Sequence, residues 1–153
     1  MKYTVRFAHL SYINNLIEGD IIRRGHIIGR MGNTGSSDGA HLHLDVVEGE
    51  QDDRYTLADI STGKKTSDAK QATLFIDREL FGVEPEITTF YSDPRYLVKY
   101  GKYHFGYDVV PTNRKFTEDN YRIAWNRSPN GRVTKILTND PGYGNCVMIT
   151  FEA

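Results

Sequence analysis

The chain has 153 residues and a formal net charge of −1, a balance that argues against a nucleic-acid partner bound through a basic surface. Its single cysteine, Cys146, excludes an intramolecular disulfide and a cysteine-rich metal site, so a metal would be held by His, Asp or Glu. No apolar run approaches the roughly 18–20 residues that cross a bilayer, which argues against membrane insertion.

Glycine-rich turns between short β-branched runs predict one β-rich domain. Residues 2–10 alternate polar and apolar side chains, which predicts a strand whose more apolar face carries His9. Two isoleucine pairs between residues 11 and 40 are flanked by turn signals and predict short strands at close spacing. Residues 41–48 are the second long predicted strand.

The remaining sequence predicts one helix and three more strands. Residues 49–66 are polar and are expected to form a long loop. A helix is predicted from about 68 to 81, because its apolar residues fall on one stripe and Gly82 follows its end. The other predictions are an extended segment at 86–98, a strand with a distorted start at 104–110, an irregular segment at 111–131, and strands at 132–137 and 145–151.

Histidines carry the chemical signal. His41 and His43 follow a glycine-rich turn, and their spacing on a strand places both imidazoles on one face. A straight strand would hold His104 and Asp108 about 13 Å apart, too far for one metal, but Gly106 between them permits a bend. With that bend, the side chains of His43, His104 and Asp108 could together form a zinc site that keeps one coordination position open. The alternative is that these histidines are only packed or hydrogen-bonded.

Two blocks of sequence carry a longer pattern. Residues 7–46 contain an Ala-His-Leu strand, a Gly-Asn-Thr-Gly turn and His-Leu-His. Residues 103–151 contain His-x-x-x-Asp, then Gly-x-Val, then Gly-Tyr-Gly-Asn before a hydrophobic strand. The first block resembles the C-terminal half of the M23 family of zinc metallopeptidases, the lysostaphin and LytM type, and the second resembles its N-terminal half.

The two blocks stand in the reverse of the family's order, which predicts a circular permutation. Residues 1–153 would then be a single permuted M23-like domain. Residues 1–46 would be equivalent to the family's C-terminal half, and 101–153 to its N-terminal half. Residues 47–100 would be a bridging insert that contains the predicted helix. The resemblance implies a mainly β, antiparallel, LytM-like fold.

The resemblance also implies a zinc-dependent endopeptidase that cuts peptidoglycan stem or cross-bridge peptides with a metal-activated water. It maps the zinc ligands onto His104, Asp108 and His43. His41 would be the general base and His9 its partner beside the reacting carbonyl. Two aromatic residues that flank the metal motif, Tyr103 and Tyr107, are candidates to line the substrate groove, with a packing role as the alternative.

Other functions remain open at this point. A non-catalytic member could bind peptidoglycan or regulate another hydrolase. A phage tail or virion protein could use the fold as a scaffold and contact other virion proteins; the permutation and an N-terminus unlike a secretory signal fit that setting. An unrelated metal-binding β-barrel such as a cupin would explain His-x-His but not the two blocks. The localisation is left open.

Overall fold

The computed structural model describes residues 1–50, 67–112 and 121–153. This part of the chain is mainly β and antiparallel, which confirms the predicted fold class. Its elements in chain order are β1 (Lys2–Leu10), β2 (Tyr12–Ile13), β3 (Ile21–Ile22), β4 (Ile27–Arg30), β5 (Leu42–Glu48), α1 (Ala69–Thr73), α2 (Arg78–Phe81), β6 (Pro85–Thr89), α3 (Pro94–Tyr100), β7 (Tyr107–Pro111), β8 (Arg122–Ala124), β9 (Gly131–Asp140) and β10 (Gly144–Glu152).

Seven strands form one sheet in the order β3-β9-β10-β1-β5-β7-β6, and β2, β4 and β8 form a smaller sheet. β1 lies at the centre of the large sheet, where it pairs antiparallel with β10 on one side and β5 on the other. Lys2 lies opposite Glu152, and the Met1 ammonium group donates to the Ala153 carbonyl at 3.0 Å. None of the helices in the described ranges is long and apolar enough to cross a membrane.

One face of the large sheet packs into the main hydrophobic core. Val5 and Phe7 of β1 point to this face and are fully buried. Phe75 packs against the same core, with ring centroids 6.0 Å from Phe7, 5.3 Å from Trp125 and 5.4 Å from Phe151. The core therefore joins the large sheet to the helical segment and to the chain after β8.

The helix predicted over 68–81 is divided in the structure into α1 and α2. Asn126 donates from its side chain to the Phe75 carbonyl at 2.8 Å, the group that a continuous helix would bond to the Glu79 amide. That amide instead donates to Asp77, which caps the start of α2. A tertiary contact thus interrupts the apolar stripe, and Phe75 turns into the core.

The prediction of an extended segment over 86–98 is wrong for its second half, because Pro94–Tyr100 forms the helix α3. Asp93 is the N-cap of this helix and Pro94 its first residue. Gly101 ends it with a φ of 71°, in the left-handed region that suits glycine. The Asp-Pro pair therefore starts a helix here rather than breaking a strand.

The last predictions are partly met. β7 begins at Tyr107, so residues 104–106 form the distorted start that Gly106 suggested. Within the segment predicted as irregular, 111–131, the short strand β8 pairs with β4. Residues 113–120 of that segment, and residues 51–66 of the predicted loop, lie outside the described residues.

We predict that Phe75→Ala lowers the free energy of unfolding by about 3–5 kcal/mol, because it leaves a cavity among three aromatic rings. The matched control is Leu74→Ala, since the neighbouring Leu74 side chain is 48% exposed. That control should change the free energy by about 0.5 kcal/mol or less. Urea denaturation of both variants measures the difference, and equal effects would show that Phe75 is not part of the cooperative core.

Candidate metal centre

The candidate metal centre is built by the pairing of β5 with β7. His43 and Asp108 are opposite each other in the ladder and face the side of the sheet away from the main core. His104 reaches the same point from the residues just before β7. His43, His104 and Asp108 each offer one atom that could bind a metal, and these three atoms lie within 4.8 Å of one another. The structure thus brings together the three side chains that the sequence suggested as ligands.

Gly106 allows the close approach of His104. A Cβ atom at this position would lie 2.5 Å from the Leu44 carbonyl oxygen and 3.1 Å from Cε1 of His43. The chain can therefore pass against β5 only without a side chain here. Since residues 104–106 are not extended strand, the four-residue spacing does not separate His104 from Asp108, and the His104 Nε2 lies 3.3 Å from Asp108 Oδ1.

Each of the two histidines has a separate partner for its other ring nitrogen. His43 directs Nδ1 to Asp108 Oδ1 at 3.1 Å and donates from Nε2 to Asp45 Oδ2 at 2.6 Å. His104 donates from Nδ1 to the Phe90 carbonyl at 3.2 Å. Second partners of this kind fix the orientation of histidine ligands in metal sites.

The electrostatics of the cluster favour a positive charge beside Asp108. Burial opposes the charged form of Asp108, but hydrogen bonds from His104, His41 and His43 hold its pKa far below the usual range. Burial also opposes the charged form of His43, and its hydrogen bonds with Asp108 and Asp45 outweigh burial and raise its pKa. Two imidazoles and one carboxylate are a ligand set that zinc uses in catalytic sites, so the residues fit this metal.

His41 lies beside this cluster, as its spacing from His43 predicted. Its Nε2 is 3.4 Å from Asp108 Oδ1. Its Nδ1 donates to the Gly39 carbonyl at 2.7 Å. In the neutral ring this contact leaves Nε2 as a proton acceptor next to the metal centre.

The predicted orientation of His9 is wrong. Regular alternation would point it to the apolar face, but the ladder register shifts between Phe7 and Leu10 and His9 has a φ of 63°. This irregularity turns the ring to the other face, where its centroid lies 5.1 Å from that of His41 and 6.1 Å from that of His43. Bulges often re-aim a side chain in this way beside active sites.

The His9 ring is held by a backbone carbonyl. Its Nδ1 donates to the Thr34 carbonyl at 2.7 Å. Burial and repulsion from His43 and His41 lower the pKa of His9 to about 4, so the ring is neutral near pH 7. The neutral His9 ring therefore offers Nε2 as an acceptor.

A cleft of about 520 Å³ opens over these residues. Its lining combines the glycine-rich turn, residues 36–40, with β6 and α3. The Tyr96 ring of α3 lies 4.6 Å from the His104 ring, measured between centroids. Tyr100 donates its hydroxyl hydrogen to Asp38 of the glycine-rich turn, and Lys99 Nζ lies 3.7 Å from the same carboxylate. These contacts join the two parts of the lining.

The structure does not bring Tyr103 and Tyr107 into the cleft lining. Because Asp108 faces the metal centre, its neighbour Tyr107 points to the opposite side of β7 and packs near Phe90 and Tyr91. Tyr103 is 54% exposed. Among the described residues, the tyrosines that line the cleft are Tyr96 and Tyr100.

The sequence interpretation missed Asp45 and Arg6. Asp45 continues the alternation of His41 and His43, so the period of two was a sufficient signal for its place on the same face. Arg6 lies opposite Asp45 on β1, and both side chains are fully buried. Arg6 belongs to the polar face of the strand predicted over 2–10, so alternation gave no sign that it would be buried.

We predict that Gly106→Ala weakens zinc binding at least tenfold, because the added methyl group must displace β5 or the His43 ring. The matched control is Gly39→Ala in the glycine-rich turn, where an added Cβ meets no atom within 4 Å. Competition with a chelating indicator measures both affinities. An unchanged zinc affinity in Gly106→Ala would mean that the close approach of His104 is not needed to form the site.

Comparison with known proteins supports a peptidase. The family model described as peptidase family M23 matches residues 1–54. This is about a third of the chain and includes His9, His41 and His43. No curated protein and no solved structure gives a significant match. The family match supports membership of peptidase family M23 and, in general terms, an enzyme of the metallopeptidase type.

Proposed function

We propose that this protein is a zinc-dependent endopeptidase that hydrolyses peptide bonds in the stem or cross-bridge peptides of bacterial peptidoglycan. The observation that carries the proposal is the convergence of His43, His104 and Asp108 in a cleft that also contains His41 and His9. The M23 match is the support for peptidoglycan as the source of the substrate.

His43, His104 and Asp108 would hold the metal. Bound Zn²⁺ supplies a Lewis acid that lowers the pKa of water and polarises a carbonyl group. The ligands suit this role. Two neutral imidazoles and a single carboxylate would leave the dication with a net positive charge. The second hydrogen bonds of the histidines hold the rings in place for it.

His41 is the proposed general base. Its Nδ1–H is engaged by Gly39, so Nε2 takes the proton from the attacking water. The resulting imidazolium remains beside Asp108, which stabilises its charge. His41 can then return the proton to the leaving amine.

His9 is the proposed partner of His41 at the reacting carbonyl. Its position depends on the irregularity of β1 and on the Thr34 carbonyl, which fixes the ring through Nδ1. The free Nε2 can accept a hydrogen bond from the substrate or the attacking water. His9 therefore orients the reactants rather than supplying a positive charge.

The structure supports the proposed permutation through the pairing of its terminal strands. β10 and β1 are antiparallel neighbours, as they would be in a hairpin of the unpermuted order. The residues that bridge the two blocks include β6 and α3, which line the cleft. We therefore propose that this insert shapes the substrate site.

We also propose a biological setting. The protein would be a phage wall-degrading or tail protein, with other virion proteins as further partners.

We predict that His41→Ala retains one zinc ion per chain but loses turnover by about 10²–10⁴-fold, the usual contribution of a general base. The assay is incubation with peptidoglycan sacculi, followed by mass spectrometry of the released fragments. His26→Ala is the control, because His26 is exposed and absent from the cleft lining. Metal content is measured on the same samples.

Two results would contradict the proposal. Loss of zinc from His41→Ala would show that the roles of His41 and a ligand are exchanged. No new peptide termini from the zinc-loaded unaltered protein, across several wall chemistries, would favour a binding or scaffold function.

A further inference from the structure

Arg6 and Asp45 form a charged pair inside the large sheet. They are cross-strand neighbours on β1 and β5, and both side chains are 0% exposed. The guanidinium carbon lies 4.0 Å from the centroid of the Tyr143 ring. A pair of this kind gains little stability from its burial, because the loss of water offsets the attraction between the charges. Packing alone therefore does not account for the pair.

A single oxygen connects the pair to the metal centre. Asp45 Oδ2 accepts from Arg6 Nε at 3.1 Å and Nη2 at 2.8 Å, and it also accepts from His43 Nε2 at 2.6 Å. Two donors on one rigid guanidinium group fix the position of this oxygen. Arg6 thus determines where the acceptor for His43 lies.

The position of this acceptor determines which nitrogen of His43 is available for a metal. With Nε2–H bonded to Asp45, Nδ1 is the atom that faces Asp108, at 3.1 Å. His104 has the opposite arrangement, because its Nδ1 is engaged by Phe90 and Nε2 faces Asp108. The two imidazoles therefore present different nitrogens to the same centre.

We propose that Asp45 and Arg6 are positioning residues of the metal centre. Asp45 selects Nδ1 of His43 as the ligand atom, and Arg6 holds Asp45 in the orientation that does so. The proposal rests on the metal centre of the proposed function, but it concerns metal binding and can be tested without a peptidase assay.

The test is the double variant Arg6→Met with Asp45→Leu, which replaces both charges by apolar side chains of similar size. Because the replacement of a buried ion pair by apolar side chains commonly preserves stability, the variant should fold, which circular dichroism checks. Its melting temperature should fall by no more than the loss of the acceptor for the His43 N–H causes. Its zinc affinity, measured by competition with a chelating indicator, should fall about 10–100-fold. An unchanged affinity in the folded variant would overturn the proposal.

Two further variants separate the hydrogen bond from general damage to the sheet. Thr4→Val with Thr150→Val removes another buried polar contact between β1 and β10, of 2.9 Å, and should leave zinc affinity unchanged. Arg6→Met with Asp45→Asn keeps an acceptor oxygen for His43 but lacks the guanidinium group that fixes it, so it should recover only part of the affinity lost in the leucine variant. Complete recovery would show that Arg6 has no positioning role. Absence of any recovery would count against a role through the hydrogen bond.

A measurement on the unaltered protein does not depend on any variant. With isotope-labelled histidine and an NMR-active cadmium isotope, metal–nitrogen couplings identify the ligand atom of each imidazole. We expect one ligand histidine bound through Nδ1 and one through Nε2. Coupling through Nε2 in both would overturn the proposal while leaving the peptidase function intact. Failure to bind zinc or cadmium at all would overturn both.

Discussion

The pairing of β5 with β7 is the constraint on which the site depends. It places His43 opposite Asp108, although the two are far apart in sequence. The other faces of the same strands carry Leu42, Leu44 and Val109, which are fully buried in the core. A shift of one residue in the register would exchange these faces and turn the candidate ligands into the core. Burial of apolar side chains on one face therefore sets the geometry of the chemistry on the other.

Strand periodicity was the most reliable source of prediction from the sequence. It identified β1 and β5 and the shared orientation of His41 and His43. The same rule, applied from Asp108, would have turned Tyr107 away from the cleft and added Asp45 to the site. The open choice between groove and packing roles for Tyr107, and the omission of Asp45, came from incomplete use of the pattern rather than from missing information.

The remaining differences depend on contacts between distant residues. Alternation cannot reveal the irregularity at His9, where a φ of 63° is compensated by the contacts of the ring and backbone with Thr34 and Tyr143. The break between α1 and α2 depends on Asn126, which follows far along the chain. The cleft lining from α3 lies in the segment 47–100, for which the resemblance implied only a bridging insert, so neither periodicity nor resemblance predicted it.

α3 differs from the strands in how it is held. None of its residues is fully buried, and its capping residues, the Tyr96 ring contact and the link from Tyr100 to Asp38 attach it to the site. Changes between Asp93 and Gly101 can therefore alter the cleft with little cost to the core. In evolutionary terms, this helix is a part in which substitutions can reshape the cleft while the candidate metal centre and the fold stay constant.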